Sequence, residues 1–189
     1  MSWPARLLST LLLVSPLAAG TQRFTPDTNH TIFGFKASTL LFDVPGRFDR
    51  YRVDIKGDPD KVSDVSIRVE LEAASIDTAN ATRDNHLRSS DFFDAAKYPK
   101  IVFTSNHAWK DGDHLVVQGT LTMHGVSKPI QIVFSDGHGL NGAGNLTYAY
   151  RASVPLNRND FGIGADSVAA KISLRNEVTL NLMLVGFFH

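Results

Sequence analysis

Apolar and polar residues alternate one for one through most of this chain, and a period of two is the pattern of a β-strand with one buried face. Val65, Ile67, Val69 and Leu71 are interleaved with Ser66, Arg68, Glu70 and Glu72. Ile101 and Phe103 resume the pattern after Tyr98-Pro99. Leu115, Val117, Leu121 and Met123 share one parity, and so do Ile130, Ile132 and Phe134 after Pro129. The last run is the longest: Ile172, Leu174, Val178, Leu180, Leu182 and Leu184 alternate with Lys171, Ser173, Arg175, Glu177, Thr179 and Asn181. Phe33 with Phe35, and Tyr51 with Val53 and Ile55, fit two earlier strands.

Turn signals separate these runs at Gly57-Asp-Pro59, Lys110-Asp-Gly112, His124-Gly125 and Gly137 to Gly144. Many strands joined by hairpin-length links predict an antiparallel meander. Strands this long are expected to close into a barrel, because closure leaves no unpaired edge. The period fails only over roughly residues 75 to 97, which reads as a short, partly helical insertion. Its Phe92-Phe93 pair is flanked by polar residues, as in a plug folded down onto something apolar.

The first twenty residues differ from the rest. Arg6 precedes the apolar run Leu7 to Val14, and Ser15-Pro16 breaks that run ahead of Ala18-Ala19-Gly20. This is the layout of a secretory signal peptide cut near Ala19 or Gly20, and the run is too short to span a bilayer. Residues 21–189 are then one exported domain. The chain has no Cys, which removes disulfides, thiol chemistry and Cys-bound metals, and suits a bacterial periplasm and a closed barrel. Lys+Arg and Asp+Glu both number 19, so no net charge draws a nucleic acid.

Motifs for catalysis or cofactors are weak. Gly137-His-Gly139-Leu-Asn-Gly142 has dinucleotide spacing, yet the sequence after it reads as a strand where that motif needs a helix. No two His have helical metal-ligand spacing. His86 and His124 are placed in loops, with loop backbone as their expected partner. Asp84 and Asp91 are expected to cap short turns and pair with Arg83 or Arg88, and Asn157 to Gly164 to form a structured loop around a buried Phe161. No cofactor is called for. The positive signal is aromatic, with 12 Phe spread over many elements. A small barrel either fills its interior with such side chains or encloses a ligand, and periodicity is compatible with both.

Several blocks, in order, resemble the YceI-like family of exported bacterial proteins. They are Ser75-Ile-Asp-Thr78, Arg83-Asp84 with His86-Leu87, Asp91-Phe-Phe-Asp94, Lys97-Tyr-Pro99 with Ile101 and Phe103, Gly119 to Val126 with Lys128-Pro129, and Arg158 with Asp160-Phe-Gly162. The resemblance implies an all-β fold: a single closed, antiparallel, lipocalin-like barrel of about eight strands, with the helical insertion near its mouth. It also implies a non-catalytic role, the binding, storage or transport of a long-chain isoprenoid lipid of polyprenyl or quinone type in the periplasm. Phe92 and Phe93 then sit near the mouth. Inward parity makes Phe33, Phe35, Val69, Leu71, Phe103, Leu115, Val117, Leu121, Ile132, Leu174 and Leu180 the ligand-binding wall. One departure stands out: Phe35-Lys-Ala-Ser-Thr39 lacks the His that the family's first strand usually carries. Two rivals are an enzyme acting on a lipid head group through Arg83, Asp84 and His86, and an interaction module for a membrane redox protein with a self-filled barrel. Transient contact with a membrane accompanies the carrier reading.

Overall fold

The structure is a computed structural model and describes residues 21–189; the expected signal peptide lies outside the described residues. The chain forms β1 (Gln22–Pro26), β2 (Ile32–Thr39), β3 (Asp43–Phe48), β4 (Tyr51–Gly57), β5 (Ser66–Glu72), β6 (Ile76–Asp77), helix α1 (Ala81–Arg88), β7 (Lys100–Asp111), β8 (His114–Met123), β9 (Val126–Leu140), β10 (Leu146–Asn157), helix α2 (Val168–Ser173) and β11 (Leu174–Phe188). Every pairing is antiparallel. The order runs β1-β4-β5-β7-β8-β9-β10-β11, and β1 pairs again with β11, so the sheet closes. The expected closed barrel of eight staves is present. The eleven segments reduce to eight because β1/β2, β3/β4 and β5/β6 are each one interrupted stave.

The interruptions have local causes. Between β1 and β2, Asp27 accepts the Asn29 amide (2.9 Å) and bonds His30 (2.7 Å). Thr31 then rejoins the neighbour, its hydroxyl donating to the Val185 carbonyl (3.0 Å) and accepting the Val185 amide (3.1 Å). The breaks in β3/β4 and β5/β6 coincide, with the Glu72 amide on the Arg50 carbonyl (2.9 Å) and the Asp49 amide on the Ser75 carbonyl (3.2 Å). Both staves therefore bend together and few backbone groups are orphaned.

Three boundaries differ from the sequence reading. Pro129 does not precede a strand but lies inside β9, opposite Thr120. Gly137 and Gly139 belong to β9, and the turn is confined to residues 141–145, where Asn141 accepts the Ala143 and Asn145 amides (2.9 and 3.0 Å). Ile172 is helical: Ser167 accepts the Ala170 amide (3.2 Å) and starts α2, so the final alternation begins only at Leu174. A register shift between Leu174 and Val178 follows.

Inside the barrel, two buried apolar clusters form. One holds Phe48, Ile76, Phe92, Phe103 and Phe161; the other holds Phe24, Phe33, Ile55 and Leu184. The outer wall is polar, as in the row Arg68, Glu70 and Lys100, where Glu70 accepts both cations at 2.7 Å. Among the described residues no helix is long and apolar enough to cross a membrane.

Two strand glycines are forced by close approach. A Cβ on Gly119 would lie 2.4 Å from the Thr104 carbonyl oxygen and 2.6 Å from the Phe103 ring. On Gly186 it would lie 2.2 Å from the Thr25 carbonyl oxygen and 2.5 Å from the Phe24 ring. Replacing Gly119 by Ala is expected to destabilise the barrel by about 1–3 kcal/mol in urea unfolding through overpacking. Gly137→Ala, whose Cβ meets nothing within 4 Å, should stay within about 0.5 kcal/mol.

Candidate ligand cavity

Alternation sends one parity of each long strand inward, and in a barrel this narrow the inward set either meets at the axis or leaves a lumen. Here it leaves a lumen of about 210 Å³, well above the ~10–15 Å³ that one enclosed water needs. Its wall is hydrocarbon and aromatic almost throughout, the kind of lining that stays dry and takes apolar guests.

All thirteen residues named from sequence line this one cavity. Val69 and Leu71 come from β5, Phe103 from β7, Leu115, Val117 and Leu121 from β8, Ile132 from β9, and Leu174 and Leu180 from β11. Phe33 and Phe35 stand two apart on β2, and Phe92 and Phe93 come from the segment after α1. The reading missed Phe48, Phe134, Tyr150, Leu182, Leu184 and Phe188, which also line it. For Leu182, Leu184 and Phe134 the signal was present, since each continues a parity already assigned inward. Tyr150 stacks parallel to Tyr148 (6.3 Å) and edge-on to Phe134 (6.4 Å). Burial, with Asp136 nearby, pushes its phenol pKa up, so it is a neutral group on the wall.

One end is shut by the insertion. Asn80 caps α1 by accepting the Arg83 amide (3.0 Å). Asp84 is buried and accepts the Thr78 amide (2.9 Å) and hydroxyl (2.5 Å). Arg83 donates to the Thr78 hydroxyl (2.8 Å) and carbonyl (2.7 Å), and Arg88 to the Ala74 and Ile76 carbonyls (2.8 and 2.7 Å). These bonds correct the expected pairing of the two acids with the two arginines. The short β6 and the residues on either side of it offer carbonyls, at Ala74, Ile76 and Thr78, and the guanidinium groups reach those instead. Asp91 pairs with His86 (3.1 Å), and His86 stands in α1, not in a loop and not on backbone. Beyond the helix the Phe93 amide returns to the Leu87 carbonyl (3.0 Å). That return sets Phe93 edge-on to Phe48 (5.8 Å) and Phe92 edge-on to His86 (5.0 Å).

A second clamp holds the same rim. Arg158 is only 6% exposed and reaches the Arg175 carbonyl with Nε (3.2 Å), the Ile163 carbonyl with Nη1 (2.7 Å), and the Ala170 carbonyl and Asn176 side chain with Nη2 (3.3 and 3.1 Å). Burial lowers its pKa, and carbonyl dipoles rather than a carboxylate stabilise its charge. Phe161 is buried as expected, and its carbonyl accepts from His124 Nδ1 (3.0 Å), which bears out the backbone role foreseen for His124. Among the described residues no group of three or more His, Asp or Glu is placed to hold a metal ion.

The sequence profile of the YceI-like domain matches residues 24–185. The chain belongs to the YceI-like family. A UPF0312 protein of Shewanella baltica is 32% identical over 189 residues, covering 96% of this chain and 97% of its own. The crystal structure of the Campylobacter jejuni YCEI protein is 30% identical with a TM-score of 0.69, over 78% of this chain and 86% of that one. A polyisoprenoid binding domain from Saccharophagus degradans shares the fold at 14% identity, with a TM-score of 0.61 over 87% of this chain and 97% of its own.

In this YceI-like chain the stretch that lacks the usual His gives Phe35 and Ala37 to the cavity wall. Thr39 does not line the lumen; its hydroxyl donates to the Phe42 carbonyl (2.8 Å) and accepts the Leu41 and Phe42 amides (3.2 and 3.1 Å), building the β2–β3 turn. Arg158→Met should strand several buried carbonyls and cost at least about 3 kcal/mol in urea unfolding. Arg158→Lys keeps the charge but not the fork, and should restore less than half of that loss. Equal stability of Arg158→Met and the parent would show that the clamp is idle.

Proposed function

We propose that this protein binds a long-chain isoprenoid lipid, of polyprenyl or quinone type, and stores or carries it through the periplasm without chemical change. The observation that carries the reading is the lumen, which is apolar over almost its whole wall and ringed by the inward faces of the staves. Family membership supports it, as does the polyisoprenoid-binding description of the Saccharophagus relative in fold. The apolar run at residues 7–14 supports export. Burying a five-carbon isoprene unit contributes roughly 3–4 kcal/mol gross. Ordering the chain takes back much of this, so several units are needed for retention. With so few polar atoms facing the lumen, selectivity falls on tail length and shape rather than on the head group.

A non-catalytic role is supported by where the polar groups go. Arg83, Asp84 and His86 are each engaged in holding the insertion, and none lines the lumen. The interaction-module alternative needs an interior filled by its own side chains, and the lumen speaks against it.

Native mass spectrometry with organic extraction, on protein purified from its own host, is expected to reveal one stoichiometric polyprenyl species. Homogeneous ligand-free protein that also refuses added long-chain isoprenoids would overturn the carrier reading in favour of the interaction module. With added polyprenols, affinity should rise with chain length and then level off as the lumen fills. Leu180→Trp, which places bulk in the lumen, should move that plateau to shorter chains. Phe93→Ala should accelerate release by about tenfold with little change in the plateau.

A further inference from the structure

The rim that holds the plug carries a feature that storage of a lipid does not require. Leu40, Leu41 and Phe42 at the tip of the β2–β3 hairpin, with Val168 and Ile172 one turn apart on α2, are 60–89% exposed. They are five of the six most exposed large apolar side chains among the described residues; the sixth, Leu140, lies by the β9–β10 turn at the opposite rim. The hairpin tip and the helix form one patch, because the Leu40 amide donates to the Ser173 carbonyl (3.2 Å) at the C-terminal end of α2. Turns in water favour Gly, Asn, Asp and Ser. This one is built entirely by the Thr39 hydroxyl and backbone, so three apolar tips are held outward by hydrogen bonds rather than by packing. The patch is continuous with the cavity: Ala37 below the tip and Leu174 just after α2 both line the lumen.

We propose that this rim docks on the surface of a phospholipid bilayer, seating Leu40, Leu41, Phe42, Val168 and Ile172 at the boundary between head groups and acyl chains, so that the plugged mouth faces the membrane. The proposal rests on the lipid-carrier reading, for which the membrane is source and destination. A second copy of the chain fits the patch poorly. Five side chains on a projecting turn and a short helix fall well short of the roughly 20–30 residues that each partner contributes to a specific protein interface. A bilayer sets no such minimum and accepts a projecting apolar tip. The charges fit as well. Lys171 and Arg175 flank the patch and form no ion pair among the described residues. The acid beside the tip, Asp43, is already held by Ser38 (2.6 Å) and Lys36 (3.1 Å). Asp166 lies at the far end of α2, and Glu177 stands opposite Asn157 on β10. Apolar tips with cations behind them match acyl chains beneath lipid phosphates.

Flotation with vesicles of equal parts phosphatidylethanolamine and phosphatidylglycerol tests this, alongside binding of geranylgeraniol in vesicle-free solution. The parent protein and Leu140→Asp should float. The double variant Leu41→Asp/Phe42→Asp and, independently, Ile172→Asp should lose about tenfold or more in vesicle partition. All are exposed substitutions, and all should keep geranylgeraniol binding. Parent protein that binds geranylgeraniol but does not float would overturn the docking and leave the carrier reading intact. Flotation without geranylgeraniol binding would uphold the docking and defeat the carrier reading. Undiminished flotation of the patch variants, or a dimer in solution that these variants dissociate while no form floats, would overturn the docking as well.

Discussion

Closure of the sheet on itself is the constraint from which the rest follows. Three register pairs, Phe24 with Phe188, Thr25 with Phe187 and Pro26 with Gly186, join the first stave to the last. Once they form, the staves pair with a neighbour on both sides around the ring, and the carbonyls left over at the breaks are met by side chains such as Arg88 and Arg158. The interior then has no hydrogen-bonding duty left. In an open sheet the inward face must be covered by another layer to be stable. A closed one needs only an apolar lining, and it tolerates a lumen that a packed sandwich would have to fill.

A closed wall leaves two ends to shut, and the plugged end is where the polar residues are spent. Asp84 fixes Thr78, Arg83 and Arg88 bind carbonyls of the 74–78 segment, and Arg158 gathers the loops on either side of α2. Guanidinium groups suit this work because they carry five donors in a rigid fork, stay charged, and need no acid partner when several carbonyls converge. The division of labour supports the proposed carrier over the enzyme alternative. Hydrocarbon forms the wall, the polar side chains hold the covers, and few polar groups remain facing the lumen to act on a substrate.

The barrel was legible in the sequence because a period of two converts directly into faces. Once the sheet closes, inward parity and cavity wall are the same set, which is why residues as distant as Val69, Leu121 and Leu180 meet around one lumen. What stayed hidden lay where that period stops deciding. The alternation of Ile172 with Leu174 was real, yet a Ser cap at position 167 commits the preceding residues to a helix and turns Ile172 outward. Pairing Asp84 and Asp91 with the nearest arginines followed charge along the chain. In the fold, backbone carbonyls compete for those guanidinium groups, and nothing local in the sequence announces which carbonyl a guanidinium will reach. Arg158 was read into a structured loop, but its place on the cavity wall depends on Ile163, Ala170 and Asn176 converging from three directions.

The width of the lumen depends on a device that alternation does not show. Three Phe rings lie over glycines of neighbouring strands: Phe35 over Gly46, Phe103 over Gly119 and Phe24 over Gly186, each so close that a Cβ would fall 2.3 to 2.6 Å from the ring. A side chain at those glycines would prop the ring away from the wall and into the lumen. Its absence lets the ring lie back, so an aromatic residue contributes apolar surface without crossing the axis. Phe35 and Phe103 both line the cavity, so the glycines help decide whether these aromatics fill the barrel or furnish it. Sequence composition, with its 12 Phe, was equally compatible with a filled interior and a hollow one. The placement of Gly46 and Gly119 beneath Phe35 and Phe103 favours the hollow one, which is what the proposed lipid cargo requires.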